Sequence, residues 1–346
     1  MSVTMSEHRV ARRVPSLPRS RGPLSAAITD YLAGAPRVED APVPAGVDAL
    51  VDDDLHLALW VCYELHHHGF VGVDDAFEWD LRVLRFRRRL EEAFEAALRD
   101  DHETGLLPSD PVAALQAIAA RPAPPLARTI EDDPTRDRIS EFMIHRSAYQ
   151  LKEADAHTFA IPRLAGRGRS ALIEIQMDEY GGGVPGAAHA ELFAAAMREL
   201  GLEDRLGGYI DMLPGTTLAT DNLVEMFALQ RRLRGALVGH LALFEITSVT
   251  PMTRYLDAAR RLAISASLEH FYAVHVEADV HHGRLAITGM VAGFIRDEPG
   301  LAADVVFGAA ALSQVESRFA AAVLERWEAG SSSLLQPWRP GLDSFL

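Results

Sequence analysis

The chain has 346 residues, 48% of them hydrophobic, and carries a formal net charge of −15. Its length suits one large domain or two ordinary ones, and its charge predicts a surface that repels nucleic acid and anionic lipid. No apolar run reaches the roughly 18 residues of a transmembrane helix. We therefore expect neither nucleic acid nor a membrane among its partners.

Cysteine and lysine each occur once, as Cys62 and Lys152. A single cysteine excludes an intrachain disulfide framework and any all-thiolate metal site, and it fits a reducing cytoplasm. The nearly complete use of arginine as the basic residue, together with abundant alanine, indicates a GC-rich genome rather than a function. Any metal that the chain binds must then be held by histidine and carboxylate side chains.

Two segments are predicted in the N-terminal part of the chain. Residues 1–46 are rich in proline and arginine and predict a tail with a docking segment, partly disordered. They lack the apolar stretch of a signal peptide, so a cytoplasmic location is expected. Residues 47–130 predict a helical extension, in which Leu55 opens an amphipathic face, a longer helix covers 77–98 and a short one follows Pro108.

Residues 131–346 are predicted to form the main domain, an all-α bundle. Apolar residues recur there with helical spacing, and glycine and proline mark the breaks between helices. Helices are expected over 139–158, 170–180, 188–200, 218–229, 232–248, 255–282 and 301–330. Pro251 is expected to end the helix that begins at residue 232.

The segment 271–282, FYAVHVEADVHH, is the strongest functional signal of the chain. It holds His275, Asp279 and His282, and positions i, i+4 and i+7 stack on one face of a helix. Buried histidine and aspartate need polar partners, and a transition metal satisfies all three side chains at once. A solvated helix face with a local ion pair is the alternative interpretation.

Other helices of a bundle would supply the remaining ligands. Glu245 lies in the otherwise apolar segment LALFEITSV, where an unpaired carboxylate would be costly to bury. An arginine partner for it is the alternative. Glu179 ends a predicted helix before three glycines, and His189 opens the next helix ten residues later. Glu153 lies in KEADAH, on the preceding helix.

The charge of this set indicates how many metal ions it would hold. Two divalent ions would neutralise its four carboxylates, which suits burial in a core of low dielectric constant. Carboxylate and imidazole donors without thiolate favour iron or manganese, with open positions for oxygen. In two-metal sites the ions lie roughly 3.5–4 Å apart, a spacing that bridging carboxylates can provide.

The set resembles the haem-oxygenase-like diiron oxidases and oxygenases, a family of iron-containing redox enzymes. The motifs of that family run in the order Glu, Glu with His ten residues later, Glu, and H-x3-D-x2-H. This chain fills all seven positions in that order within about residues 140–330: Glu153, Glu179, His189, Glu245, His275, Asp279 and His282. The resemblance implies a haem-oxygenase-like helical bundle, here with an N-terminal helical extension.

The resemblance also implies an enzyme that uses O2 as co-substrate at two Fe(II) ions, through a peroxo-type intermediate. It would oxidise a small organic substrate in biosynthetic metabolism. Manganese in place of iron and a homodimeric state stay open. Reducing equivalents would come from an external electron donor, since the chain has no dinucleotide fingerprint or other redox-cofactor motif.

The reaction itself stays open among N-oxygenation of an amine, C–H oxidation, desaturation and C–C cleavage of an amino or fatty acid. An amino-acid substrate would need a partner for its carboxylate, for which Arg146, Arg163 and Arg254 are candidates. A haem-dependent oxygenase and a non-catalytic metal-binding or partner-binding bundle are the alternative functions. Haem would need one axial histidine in an apolar pocket, which the acidic ligand set does not favour.

A second histidine-rich segment, His66, His67 and His68, is predicted to be structural. Consecutive helical positions face different directions, so the three rings would not converge on one ion. Glu64 and His67 form an E-x-x-H pattern, but ferritin-like diiron proteins need two such pairs, and only this one is found.

Overall fold

The computed structural model describes residues 14–36, 38, 42–100 and 107–339. Within these ranges the chain forms helices, turns and loops without a strand, which confirms the all-α prediction. The start of the predicted tail, residues 1–13, lies outside the described residues. Among the described helices, none combines the length and the apolar composition needed to cross a membrane.

The N-terminal part folds as α1 (Pro23–Leu32), α2 (Asp53–Glu64), α3 (Leu81–Arg99), α4 (Pro111–Ala119) and α5 (Leu126–Asp132), with a 3₁₀ turn at Asp75–Trp79. Aspartates open three of these helices, because Asp52, Asp80 and Asp110 accept hydrogen bonds from backbone amides of the first turn. Asp54 on α2 accepts from two amides at the start of α1, at 2.8 Å each, and thereby joins the two helices.

The main domain consists of α6 (Arg136–Gln150), α7 (Asp155–Thr158), α8 (Gly166–Glu179), α9 (His189–Glu199), α10 (Gly215–Leu229), α11 (Arg234–Leu262), α12 (Ala266–Leu285), α13 (Ala292–Asp297) and α14 (Ala302–Glu328). A π-helical segment, Ala286–Val291, joins α12 to α13. Short 3₁₀ helices lie at Ile161–Arg163, Gly181–Gly183, Ile210–Met212, Arg231–Leu233 and Pro299–Leu301.

Helix α11 is the centre of the bundle and packs along both α12 and α14. Two glycines allow its close crossing with α14. A Cβ atom at Gly239 would overlap the carbonyl oxygen of Val305, and one at Gly308 would overlap the carbonyl oxygen of Ala236. Only glycine permits this approach of two backbones. The contact fixes α11 in place between its neighbours.

The prediction that Pro251 ends a helix is wrong, because α11 continues through it to Leu262. A proline inside a helix costs about 3 kcal/mol, and the burial of α11 against α12 and α14 on either side outweighs that cost. The break comes instead at Ala263, which has a φ of 48°, and Ser265 then caps α12 by accepting from the amide of Leu268.

The helix predicted over 139–158 is also interrupted. α6 ends at Gln150, and a turn connects it to the short helix α7. This turn contains Lys152 and Glu153, both of which are buried. Because the backbone leaves the helix here, two adjacent charged side chains enter the core in different directions.

Candidate metal centre

The seven residues predicted as ligands meet in the core of the main domain. The turn after α6 provides Glu153, the end of α8 provides Glu179, the start of α9 provides His189, and α11 provides Glu245. The remaining three, His275, Asp279 and His282, lie on α12. All seven side chains are buried, with at most 9% of the residue surface exposed. We call them the seven-residue cluster.

Within this cluster, potential ligand atoms form two groups, in each of which all atoms lie within 4.8 Å of one another. The first ligand group is Glu153, His189 and His275, and the second ligand group is Glu179, Glu245 and His282. The groups touch where Nδ1 of His189 lies 2.8 Å from Oε2 of Glu179. Asp279 lines the small cavity of about 10 Å³ that members of both groups surround.

Two histidines of α12 are oriented by hydrogen bonds on the side away from the cluster. Nδ1 of His275 donates to the carbonyl oxygen of Phe271 at 2.8 Å, which leaves Nε2 facing Glu153. Nε2 of His282 donates to Asp178 at 3.0 Å, which leaves Nδ1 facing the second ligand group. Metal-binding histidines characteristically donate their other ring N–H to a carboxylate or a backbone carbonyl in this way.

The cluster has more buried acceptors than donors. Five of its atoms are buried without a hydrogen-bond partner among the described residues: Oε2 of Glu153, Nδ1 of His189, Nε2 of His275, Oδ2 of Asp279 and Nδ1 of His282. None of its four carboxylates forms an ion pair with an arginine or lysine of the described chain. Buried polar atoms normally have hydrogen-bond partners. The five oxygen and nitrogen atoms without one are of the kinds that coordinate metal ions.

The electrostatics of the cluster indicate the same deficit of positive charge. Burial alone would lower the pKa of His275, but the carboxylates of Glu153, Glu179 and Asp279 raise it to about 10. Burial alone would also lower the pKa of His282, but Glu245, Asp178 and Glu179 together raise it to about 9. Burial raises the pKa of Glu245 to about 7. Without metal, protons therefore provide the positive charge that the carboxylates need.

The run of three histidines contacts three separate partners, as its spacing predicted. Nε2 of His67 donates to Glu225 at 2.7 Å, and Nδ1 of His68 lies 2.9 Å from Glu64. His66 contacts Glu78 at 3.4 Å. None of the three takes part in the seven-residue cluster.

Sequence reasoning missed a second buried cluster of charges, around the single lysine. Nζ of Lys152 lies 2.6 Å from Glu225, 3.2 Å from Asp221 and 3.7 Å from Glu64. We call Lys152, these three carboxylates and His67 the Lys152 cluster. The sequence shows that Lys152 is the only lysine, but the scarcity of lysine is explained equally well by a GC-rich genome.

A larger cavity of about 510 Å³ lies beside the seven-residue cluster. Tyr149 and Phe244 belong to the walls of both this cavity and the small one. Two other wall residues contact the seven-residue cluster directly. Nε2 of Gln150 donates to Glu153 at 3.0 Å, and Oγ of Ser248 donates to the backbone carbonyl oxygen of Glu245 at 3.2 Å.

Two of the three predicted carboxylate-binding arginines line the larger cavity. Arg146 forms two hydrogen bonds with Glu316, at 2.8 and 2.7 Å, and Arg254 pairs with Glu131. Arg163 donates to the backbone carbonyl of Ala228 and is not among the residues that line the cavity. The cavity therefore combines aromatic walls with charges that are already paired.

Comparison with known proteins gives the family. The profile of the iron-containing redox enzyme family matches residues 140–317, just over half of the chain, and the chain belongs to that family. All seven predicted ligands lie inside the matched residues, as does the helical core of the main domain. This membership agrees with the haem-oxygenase-like fold expected from the sequence and supports an oxidoreductase that uses iron.

One relative is a nitrosourea synthase of Streptomyces achromogenes subsp. streptozoticus, which is 26% identical to this chain over 164 residues. The aligned part is 47% of this chain and 35% of the relative, so the chain matches about a third of the relative's length. Nitrosourea synthesis is the activity of that whole protein.

Proposed function

We propose that the chain is an O2-dependent, non-haem diiron oxidase or oxygenase acting on a small organic substrate in biosynthetic metabolism. The seven-residue cluster would hold two Fe(II) ions, one at each ligand group, and Asp279 would be a further carboxylate ligand. Manganese is the alternative metal. A peroxide-level oxygen chemistry would need electrons from the ferrous ions and from an external donor.

The observation that carries this proposal is the set of five unpartnered buried ligand atoms among four carboxylates. A divalent ion at each ligand group would partner these atoms and neutralise the carboxylate charge, so the core would no longer hold uncompensated acids. The outward hydrogen bonds of His275 and His282 support it too, because they leave one ring nitrogen of each free for a metal.

The chain's own residues would then bind and orient the substrate. We place the substrate in the 510 Å³ cavity, a volume typical of small-molecule sites. Tyr149 and Phe244 separate this cavity from the centre and would exclude water from it. Gln150 donates to the side chain of Glu153 and Ser248 donates to the backbone of Glu245, so both residues would adjoin ligands and contact substrate at the same time.

A haem-dependent oxygenase is supported less well. Haem would need an axial histidine facing a cavity of suitable size. Among the described residues that line the 510 Å³ cavity, none is a histidine. Of the seven-residue cluster, His275 instead faces carboxylates across a cavity of about 10 Å³.

The test is metal binding followed by exposure to oxygen. Protein loaded with Fe(II) under anaerobic conditions should bind two equivalents per chain, and an oxygen pulse should then produce a transient visible absorption band. One equivalent at saturation, or a Soret band with added haem and no Fe(II) binding, would contradict the proposal. As a control, His281→Ala should still bind two equivalents, because this ring lies on α12 but is exposed and pairs with Glu174.

A further inference from the structure

The Lys152 cluster adjoins the seven-residue cluster, because Lys152 and Glu153 are consecutive residues. Lys152 is the only lysine of the chain and is buried, with 3% of its surface exposed. Its ammonium group meets carboxylates from two helices, Glu64 at the end of α2 and both Asp221 and Glu225 on α10. Three carboxylates around one ammonium hold its position from several directions, which an isolated pair would not do.

Histidines from the N-terminal part complete this arrangement. His67 donates to Glu225 at 2.7 Å, and His68 contacts Glu64 at 2.9 Å. Glu64, His67 and His68 all precede residues 140–317, the part that matches the family profile. The helical extension therefore contributes charged groups to the core of the main domain.

Lys152 and Glu153 are neighbours in the turn between α6 and α7, and adjacent Cα atoms are about 3.8 Å apart. The turn is held by two backbone hydrogen bonds, from the amide of Lys152 to Tyr149 and from the amide of Asp155 to Lys152, each 3.0 Å long. A shift of the lysine would consequently shift Glu153.

On the side of the metal centre, the restraints on Glu153 are few. Its Oε1 accepts one hydrogen bond from Gln150, and its Oε2 lies 3.5 Å from Nε2 of His275 without a hydrogen bond. No helix fixes its backbone, whereas four of the other six residues lie inside helices, Glu179 ends α8 and His189 begins α9. Glu153 thus depends more than the others on what holds its turn.

We propose that Lys152 is a positioning residue for the metal centre. Its ion pairs with Glu64, Asp221 and Glu225 hold the turn so that Glu153 faces His189 and His275. This makes the N-terminal extension part of the machinery that forms the first ligand group. The role of Glu153 as a metal ligand rests on the proposed function. The position of the turn does not depend on it.

The position of the turn can be tested without metal. Lys152→Met removes the charge and Lys152→Arg restores it. Glu64→Gln removes the longest of the three pairs and weakens the contact of Glu64 with the partly exposed His68, while Lys152 keeps its two shorter pairs. The control is Glu141→Gln on the same helix α6, since Glu141 accepts hydrogen bonds from Trp327 and Ser332 far from the cluster. We expect amide hydrogen exchange over residues 150–158 to rise at least about 10-fold in Lys152→Met but not in the control, at matched stability.

The metal-binding arm uses Fe(II) alone. Lys152→Met should bind one equivalent instead of two, with the ferrous magnetic circular dichroism of one ion lost, and Lys152→Arg should recover the second. Glu64→Gln should lower the affinity for one ion by about 10-fold, the effect typical of residues that orient a ligand.

The outcomes separate the two proposals. If the wild-type protein binds fewer than two ions, the proposed function fails, and hydrogen exchange alone decides the inference. If Lys152→Met does not fold, Glu64→Gln decides it by both measurements. Wild-type exchange over 150–158, or two ions bound with wild-type affinity and spectrum in a folded variant, would overturn the role of Lys152.

Discussion

Two buried acidic clusters lie next to each other in this protein, and they differ in where their positive charge comes from. The Lys152 cluster has three carboxylates and contains its own cation, with His67 as a further donor. The seven-residue cluster has four carboxylates and three histidines, and no arginine or lysine of the described chain pairs with it. The first cluster contains a permanent cation, whereas the second has only histidines that can be protonated and would need an ion from outside.

The titration of the two clusters reflects this difference. Burial alone would raise the pKa of Glu225, but Lys152 and His67 lower it to about 2, whereas burial still raises the pKa of Asp221 to about 7 beside the same lysine. In the seven-residue cluster, burial raises the pKa of Glu245 to about 7, and nearby carboxylates add to that effect. Burial favours a protonated carboxyl group in both clusters, but only the Lys152 cluster has a permanent cation, which keeps Glu225 ionised. The carboxylates of the seven-residue cluster are left to take up a proton or a metal.

The largest expected effect concerns the ligands on α12. His275→Ala should remove metal from the first ligand group and lower oxygen-dependent turnover by more than about 100-fold, the upper range for residues that only orient a ligand. His281→Ala on the same helix should leave both unchanged, because its side chain is 58% exposed. Metal analysis and oxygen consumption measure the two effects. Full turnover in folded His275→Ala would remove that histidine from the site.

Neutralising one glutamate in each cluster should have opposite effects on the stability of metal-free protein. Glu225→Gln removes the shortest ion pair of Lys152 and the carboxylate partner of His67, and should lower the free energy of unfolding by about 3 kcal/mol. Glu245→Gln removes a carboxylate whose raised pKa disfavours folding, and at pH 8 it should raise that free energy by about 1 kcal/mol.

Denaturant unfolding of the two metal-free variants at pH 8 makes this comparison. Addition of Fe(II) should reverse the second effect, because Glu245 would then hold a metal. If both substitutions destabilise the metal-free protein equally, the two clusters do not differ in the way described.

The pH dependence of stability should also separate the clusters. The raised pKa of His275 contributes stability that is complete below pH 6.5 and is lost as the pH rises through about 10. The lowered pKa of Glu225 contributes stability that is present above pH 4.5 and is lost as the pH falls through about 2. Metal-free protein should therefore lose on the order of a few kcal/mol between pH 6.5 and 10.

Unfolding curves across that range, recorded with and without bound metal, give the measurement. Bound metal should remove the alkaline loss, since coordinated imidazoles carry no proton at that nitrogen. The same alkaline loss in His275→Gln would show that it arises elsewhere.

The smallest effect is expected at the edge of the Lys152 cluster. His68 contacts Glu64, but its side chain is 32% exposed, so the pair is partly screened by solvent. His68→Ala should cost about 1 kcal/mol or less and leave metal content unchanged. His67→Ala, whose ring is buried against Glu225, should cost more. Thermal unfolding of both variants ranks them, and a reversed order would mean that the histidine partners are wrongly identified.

Some structural features of this protein could be predicted from the sequence alone. The ligand face of α12 could be predicted because helical spacing places His275, Asp279 and His282 on one side, whatever the helix packs against. Glycine and proline likewise gave the end of α8 and the start of α9 to within a residue or two. These are local properties, set by backbone geometry over a few residues.

The tertiary structure decided the rest. Lys152 and Glu225 are 73 residues apart and His67 and Glu225 are 158 apart, and no periodicity links such positions. Packing against two helices carried α11 through Pro251, and the turn after α6 placed Lys152 and Glu153 in separate clusters. A buried charge is stabilised by whichever partners the fold brings within a few ångströms, so the sequence could name the charged residues but not pair them.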